Sequence, residues 1–434
     1  MFSPLRLLET VALPQMQSDT QPLTLDSSEK LLPARPGRVI RVYMMDLWSF
    51  IPYYMGQLCA NLQEEKVKVT LGSARYHLDR NYFRKAGIKP DPFLLDVGGG
   101  IGIGVFRRFA KSLEYLANLF ALAIRFLLSP PDVLHVQYLP FLERGFSLEI
   151  WFAAWAKRRG IRVVYTVHNV TPQNAPDRYR PLQKRMYHLP DALICHGEEA
   201  RSELIKNFGV SPDKIKVIPH GPLFAERPEV SPQEARIKLG LPVAVPLVLC
   251  LGVISEYKGI PFLLEAWKKV IEMGANGCLL IAGTGDSRLL SSIREKVSSD
   301  GLASVDLWLE FIPVEKLPLL YQAADILVYP YRAGTTSGAL LTGMNYGKAI
   351  IATKLPFFCE YLRNGENAFL VDYGDVNELA HSLRILLEQP EERFRMTRAL
   401  QKQAAQTISW QEIAKATRKC YDDILETPAA SQSL

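Results

Sequence analysis

The sequence predicts an α/β protein built as two parallel sheets in series, each covered by helices on both faces. Three observations carry the prediction. Short apolar runs recur along the chain with helical periodicity between them. The rhythm breaks once, over residues 222–242, which hold Pro222, Pro228, Pro232 and Pro242. It then starts again at Leu247. Strands alternating with helices fold into a parallel sheet buried on both sides, and two of them in series make two Rossmann-like domains with strand ends facing across one cleft.

In chain order, residues 1–37 are polar and read as a flexible leader. The first domain is expected over 38–221. Its strand candidates are 38–45, 66–71, 94–97, 133–136, 162–167, 192–195 and 216–218, with a helix over 49–62. The run at 94–97 leads into Gly98, Gly99, Gly100, Gly102 and Gly104. That cluster is not a dinucleotide fingerprint, because Ile103 stands where G-x-G-x-x-G needs its last glycine, and it reads as a loop. Residues 106–128 form an amphipathic helix pattern that mixes Arg107, Arg108, Lys111 and Arg125 with Phe109, Leu113, Leu116, Leu119, Phe120, Ile124 and Phe126. It is either a core helix with basic ends or a helix resting on anionic lipid. Residues 151–160 add a second basic helix end at Lys157, Arg158 and Arg159.

A linker is expected over 222–245, with a short helix from Ser231, and the second domain over 246–408. Its strand candidates are 247–251, 279–282, 307–311, 326–329, 349–352 and 369–371, followed by helices from Asn377 and Glu391. A last helix over 409–426 carries Trp410, Ile413, Tyr421 and Ile424 on one face and is long enough to cross back to the first domain. A flexible tail is expected over 427–434.

At 434 residues, 48% hydrophobic and 22% charged, the chain is globular. It lacks an apolar run long enough to cross a bilayer and has no coherent secretory signal near Met1, so a cytoplasmic place is expected. Six cysteines without a close pair give no zinc or redox spacing, and no metal site is expected. Residues 1–221 hold 29 Lys and Arg against 20 Asp and Glu, while the remainder holds 22 against 25. The basic half prefers anionic surroundings. With no nucleic-acid motif beside it, a peripheral seat on the inner face of a membrane, or a phosphorylated acceptor, fits better than nucleic acid.

The unit on which the chemistry centres runs from Ala324 to Thr353. An apolar strand leaves through a turn with three successive hydroxyls, Thr335, Thr336 and Ser337, and Gly338 opens a helix. The first turn of a helix has unpaired amides and a partial positive charge, and glycine lets a phosphate come close. The plainer reading makes Ser337 an N-cap only. Lys258, beyond the turn at Gly252, can add a point charge to this helix head from across the cleft. Gly283 and Gly285 make a second close turn. On the first domain His168 leaves a strand with Asn169 after it, placed to face the cleft and to orient a hydroxyl or steady a developing charge. His135 and His220 read as structural.

Taken together, VVYTVHN, DALICHGEEARSELI, KIKVIPHG, LGVISEYKGIPFLLEAW, LLIAGTGD, ADILVYPYR, GKAIIAT and the final Ser409-Trp410 helix resemble the retaining glycosyltransferases of family 4, with the GT-B fold. The likeness implies a hexosyltransferase that needs no metal or cofactor and takes a UDP- or GDP-linked sugar on the second domain. The sugar would pass to a saccharide or lipid-linked acceptor on the first, in exopolysaccharide or glycolipid assembly. It implies catalytic roles for His168 and Lys258, donor contacts from Gly252, Ser255, Lys258, Gly283, Thr335, Thr336, Ser337, Gly338 and Thr342, and positioning by His168 and Asn169. Two departures stand out. Ser255 replaces a usual arginine, and the usual glutamate pair falls on Gly334 and Thr342. Loss of both carboxylates leaves open a catalytically inactive, transferase-like scaffold, and an epimerase is a further rival.

Overall fold

The computed structural model describes residues 38–73, 82–96, 105–170, 177–224, 227–334, 337–404 and 409–427. The leader, the glycine cluster with Val97, Thr335, Thr336 and the tail beyond Thr427 lie outside the described residues.

The first sheet contains β1 (Ile40–Met45), β2 (Val67–Gly72), β3 (Val133–Val136), β4 (Arg162–Thr166), β5 (Ala192–Cys195) and β6 (Ile215–Val217), in the order β2-β1-β3-β4-β5-β6. The second contains β7 (Leu247–Leu251), β8 (Cys278–Ala282), β9 (Val305–Trp308), β10 (Ile326–Tyr329), β11 (Ala349–Thr353) and β12 (Phe369–Val371), in the order β12-β11-β10-β7-β8-β9. All pairs are parallel. Strand order reverses beside the first strand of each sheet, between β1 and β3 and between β7 and β10. Such reversals open a crevice at the carboxyl ends.

The helices are α1 (Pro52–Glu64), α2 (Tyr82–Lys85), α3 (Val105–Leu128), α4 (Leu148–Arg158), α5 (Arg180–His188), α6 (Glu198–Phe208), α7 (Pro232–Leu239), α8 (Ile260–Glu272), α9 (Ser287–Ser299), α10 (Leu317–Ala323), α11 (Gly338–Tyr346), α12 (Pro356–Cys359), α13 (Val376–Glu388), α14 (Pro390–Ala404) and α15 (Trp410–Glu426). Three start at the serines that the sequence marks. Ser231 and Ser409 close capping boxes with Glu234 and Glu412, and Ser337 accepts from Leu340 N at 3.2 Å. Helix α15 does cross back: Trp410, Ile413, Tyr421 and Ile424 join the core made with Ile40, Met55 and Leu58.

Two strand expectations fail. Residues 94–96 form no strand, because the Asp91 carboxylate accepts from Phe93 N at 3.1 Å and Leu94 N bonds back to Asp91 O at 3.2 Å, which closes a turn. The run at 307–311 is shifted, and the strand is Val305–Trp308. Helix α3 buries one stripe, Tyr115, Leu119, Leu122 and Phe126, against the first sheet. Its outer stripe stays in solvent, with Phe109 at 61% and Phe120 at 70% exposure.

Candidate functional site

The strand ends of the two sheets meet. Gly338, after β10, abuts His220 and Leu223, and Glu360, beyond α12, lies against Gly197 and the amide of Glu199 at the head of α6.

On the second domain, β7 ends in a loop that turns over Glu256–Lys258. The Lys258 ammonium donates to the Tyr331 phenol and sits 3.9 Å from the centroid of that ring and 5.4 Å from that of Tyr257. Tyr331 also hydrogen-bonds Ser337, the cap of α11. Because β7 and β10 are neighbours, the structure brings Lys258 and Ser337 together through Tyr331 on one domain. The sequence alone places that lysine opposite the helix, across the cleft. Burial works against the ammonium, but the Tyr331 and Tyr257 oxygens outweigh it and raise its pKa, so Lys258 stays charged.

Beside this cluster opens a cavity of about 830 Å³, a size suited to a small organic ligand. Ser255, Tyr257, Asp286, Arg288, Ser292 and Arg332 line it. The Ser255 hydroxyl is buried behind its wall without a hydrogen-bond partner among the described residues. Arg332 is exposed, and its backbone amide donates to Tyr257 O at 2.7 Å. Sequence reasoning assigns no role to Arg288, Arg332 or Tyr331. The PYR triplet after β10 is the available signal for the last two.

The glycines at these loop ends pack closely against neighbouring segments. At Gly283, with φ +142°, an added Cβ would stand 2.0 Å from Gly252 O, so the loops after β7 and β8 are packed backbone to backbone. An added Cβ at Gly338 would come within 2.8 Å of His220 Cε1, so the close approach seen there is to the interdomain segment. Thr342 is fully buried. Its hydroxyl donates to Gly338 O at 2.7 Å and accepts from Leu223 N at 2.9 Å, which ties α11 to that same segment.

On the first domain, a row of polar side chains follows the strand ends. His168 Nε2 is bonded to Gln137 Oε1 at 2.9 Å, and His168 Nδ1 to His196 Nε2 at 3.1 Å. His196 Nδ1 donates to Ile218 O at 3.0 Å. Gln137 Nε2 reaches His135 Nε2 at 3.0 Å, and His135 Nδ1 meets Tyr421 OH of α15 at 2.6 Å. Burial lowers the pKa of His135 to about 3 and of His196 to about 4, and holds His168 well below the usual range. Both nitrogens of His168 are therefore engaged inside the domain, and His135 is a satisfied core residue as expected. Asn169 is exposed beside it.

Two family models match the chain: "Glycosyltransferase Family 4" over residues 52–221 and "Glycosyl transferases group 1" over 245–389. A D-inositol 3-phosphate glycosyltransferase of Corynebacterium diphtheriae is 23% identical over 310 residues, covering 67% of this chain and 70% of the relative. Among solved structures, Anabaena HepE in complex with UDP and glucose superposes with a TM-score of 0.68 at 16% identity, covering 88% of this chain and 98% of HepE. A glycosyltransferase from Rickettsia africae gives 0.67 at 16% identity, over 89% and 98%. The two matched regions carry five of the six strands of the first sheet and all six of the second, and nothing in these likenesses supports an inactive scaffold. The chain belongs to glycosyltransferase family 4, has the GT-B fold and is a glycosyltransferase.

Proposed function

We propose that the protein is a retaining hexosyltransferase that moves a sugar from a UDP- or GDP-linked donor to a saccharide or lipid-linked acceptor, in exopolysaccharide or glycolipid assembly. The carrying observation is the Lys258-Tyr331-Ser337 cluster at the head of α11, next to the cavity lined by Ser255 and Arg332. A diphosphate seated there would meet an ammonium, the first amides of α11 and the guanidinium of Arg332 without a metal. As the sugar–phosphate bond breaks, negative charge builds on the leaving group, and groups already aimed at it favour the transition state over the bound donor. HepE is described as binding UDP and glucose, which supports the donor class. The test is a thermal-stability screen of UDP- and GDP-sugars, followed by anomeric analysis of the product. A ligand at one hundred times its Kd adds about 2.7 kcal/mol of stability. No shift with any donor, or an inverted product, would overturn this reading.

The acceptor side of the proposal includes a peripheral seat on an anionic membrane, which α3 supports. Phe109, Leu113, Leu116, Phe120, Ile124 and Leu127 are exposed, and at about 100° per residue they fall within about 40° of one line along the helix. Trp151 on the adjoining α4 is 62% exposed, and Arg158 and Arg159 follow it into solvent. Apolar stripes of this extent flanked by basic groups suit the boundary between headgroups and acyl chains. Among the described residues no helix is long and apolar enough to cross a membrane. The protein should float with vesicles containing phosphatidylglycerol, and Phe120→Glu with Leu113→Glu should release it. Flotation unchanged by that pair would remove α3 from the reading.

A further inference from the structure

His220 lies where the chain leaves β6 for the second domain, and its ring stands at the meeting point of the two sheets. On the first-domain side the ring centroids of Tyr54 and His196 are 4.8 Å and 5.1 Å away, and Trp410 of α15 is 6.4 Å away. On the other side is Gly338, the first residue of α11, where an added Cβ would come within 2.8 Å of His220 Cε1. Cε1 joins the two ring nitrogens, so the nitrogen-bearing edge of the imidazole is the one turned to the helix head.

One of those nitrogens is committed. Nδ1 donates to Gly221 O at 2.6 Å, which fixes the proton there and leaves a lone pair on Nε2. Nε2 makes no hydrogen bond among the described residues and is not one of their sealed, unpartnered atoms. The ring is half-buried. Burial, with His196 nearby, lowers its pKa to about 3, so the lone pair persists across the working range of pH.

A lone pair beside a helix N-terminus is an odd neighbour for an anion. The amides of α11 and Lys258 attract a diphosphate, whereas an unprotonated nitrogen repels one and accepts from a hydroxyl. In a nucleotide-sugar the hydroxyl-bearing group directly attached to the diphosphate on its far side is the sugar. We infer that His220 Nε2 accepts a hydrogen bond from a hydroxyl of the transferred sugar and so helps to select it. This rests on the donor reading above. It also assigns hydroxyl recognition to a residue whose acceptor atom is open, in contrast to His168, whose nitrogens are both bonded.

The test is calorimetric titration of wild type, His220→Leu and His220→Gln with UDP, UDP-glucose, GDP and GDP-mannose. For the nucleotide that binds, His220→Leu should keep the affinity for the free diphosphate within about twofold and weaken the nucleotide-sugar about five- to tenfold, the effect of one lost hydrogen bond. His220→Gln, whose amide oxygen is again an acceptor, should recover part of that loss. If His220→Leu does not fold, His220→Gln against His220→Met carries the same comparison. Equal loss for diphosphate and nucleotide-sugar, or loss for neither, overturns the role of His220 while leaving the donor reading intact. Wild type that binds none of the four ligands overturns both.

Discussion

Replacing Lys258 by Met removes the ammonium while keeping an unbranched apolar stem of similar length. The side chain is half-buried and lies over the Tyr331 ring, so its charge is only partly screened by water. Two unit charges about 4 Å apart interact by about 4 kcal/mol at the effective dielectric near a protein surface. Desolvation offsets part of this, and hydrogen bonds to charged groups contribute about 1.5–3 kcal/mol net. Donor affinity should therefore fall about 10- to 150-fold, at about 1.4 kcal/mol per factor of ten. Turnover at saturating donor should fall further, because the leaving diphosphate carries more charge in the transition state than in the ground state. Tyr331 keeps its bond to Ser337 and its place in the core, so the thermal midpoint without ligand should move little. The assay is calorimetry with the donor alone, then initial-rate kinetics with acceptor. Unchanged kcat and Kd in a folded variant would refute the electrostatic role of this lysine.

Arg332→Ala should weaken donor binding without a comparable loss of stability, since the side chain is exposed at the cavity wall; equal binding would separate that cavity from the donor. Thr342→Val leaves the Leu223 amide and the turn of α11 without their shared hydroxyl, and should cost about 1–3 kcal/mol in urea unfolding. Glu199 has its pKa raised from an ordinary 4.5 to about 7 by burial, then by Glu360 and Glu203. A carboxyl whose folded pKa is raised contributes stability below its unfolded pKa, and that contribution is lost as pH rises through the folded value. Thermal midpoints should thus decline between about pH 5 and 8, and Glu199→Gln should flatten the decline; parallel profiles would show that this carboxyl does not set it.

Most of the fold is legible because a strand buried on both faces must be an apolar run, and runs such as Val133–Val136, Leu247–Leu251 and Ile326–Tyr329 have no other reading as short. Helix starts at Ser231, Ser337 and Ser409 are legible because the cap is a local bond. The run at 94–97 misleads because its apolar residues cannot reveal that the Asp91 carboxylate closes a turn just before them. The site is less legible because it depends on distant partners. Nothing near His168 announces Gln137 and His196, which arrive from neighbouring strands. Lys258 reads as a charge facing the helix head from across the cleft until Tyr331 is placed under it. In the same way α3 is apolar on two faces, and only the packing of Tyr115 and Phe126 tells which of them is covered.

The return of α15 to the first sheet means that the polypeptide passes between the lobes twice. These two passages are pinned to each other, because Trp410 Nε1 donates to Pro222 O at 2.8 Å and the indole lies where Gly221 has no side chain. A body joined at one point can swivel in any direction, whereas one held by two adjoining straps rocks about the line through them. Opening for product release should therefore follow a single angular coordinate, with its pivot at the indole and its widest travel on the side of the lobes farthest from it.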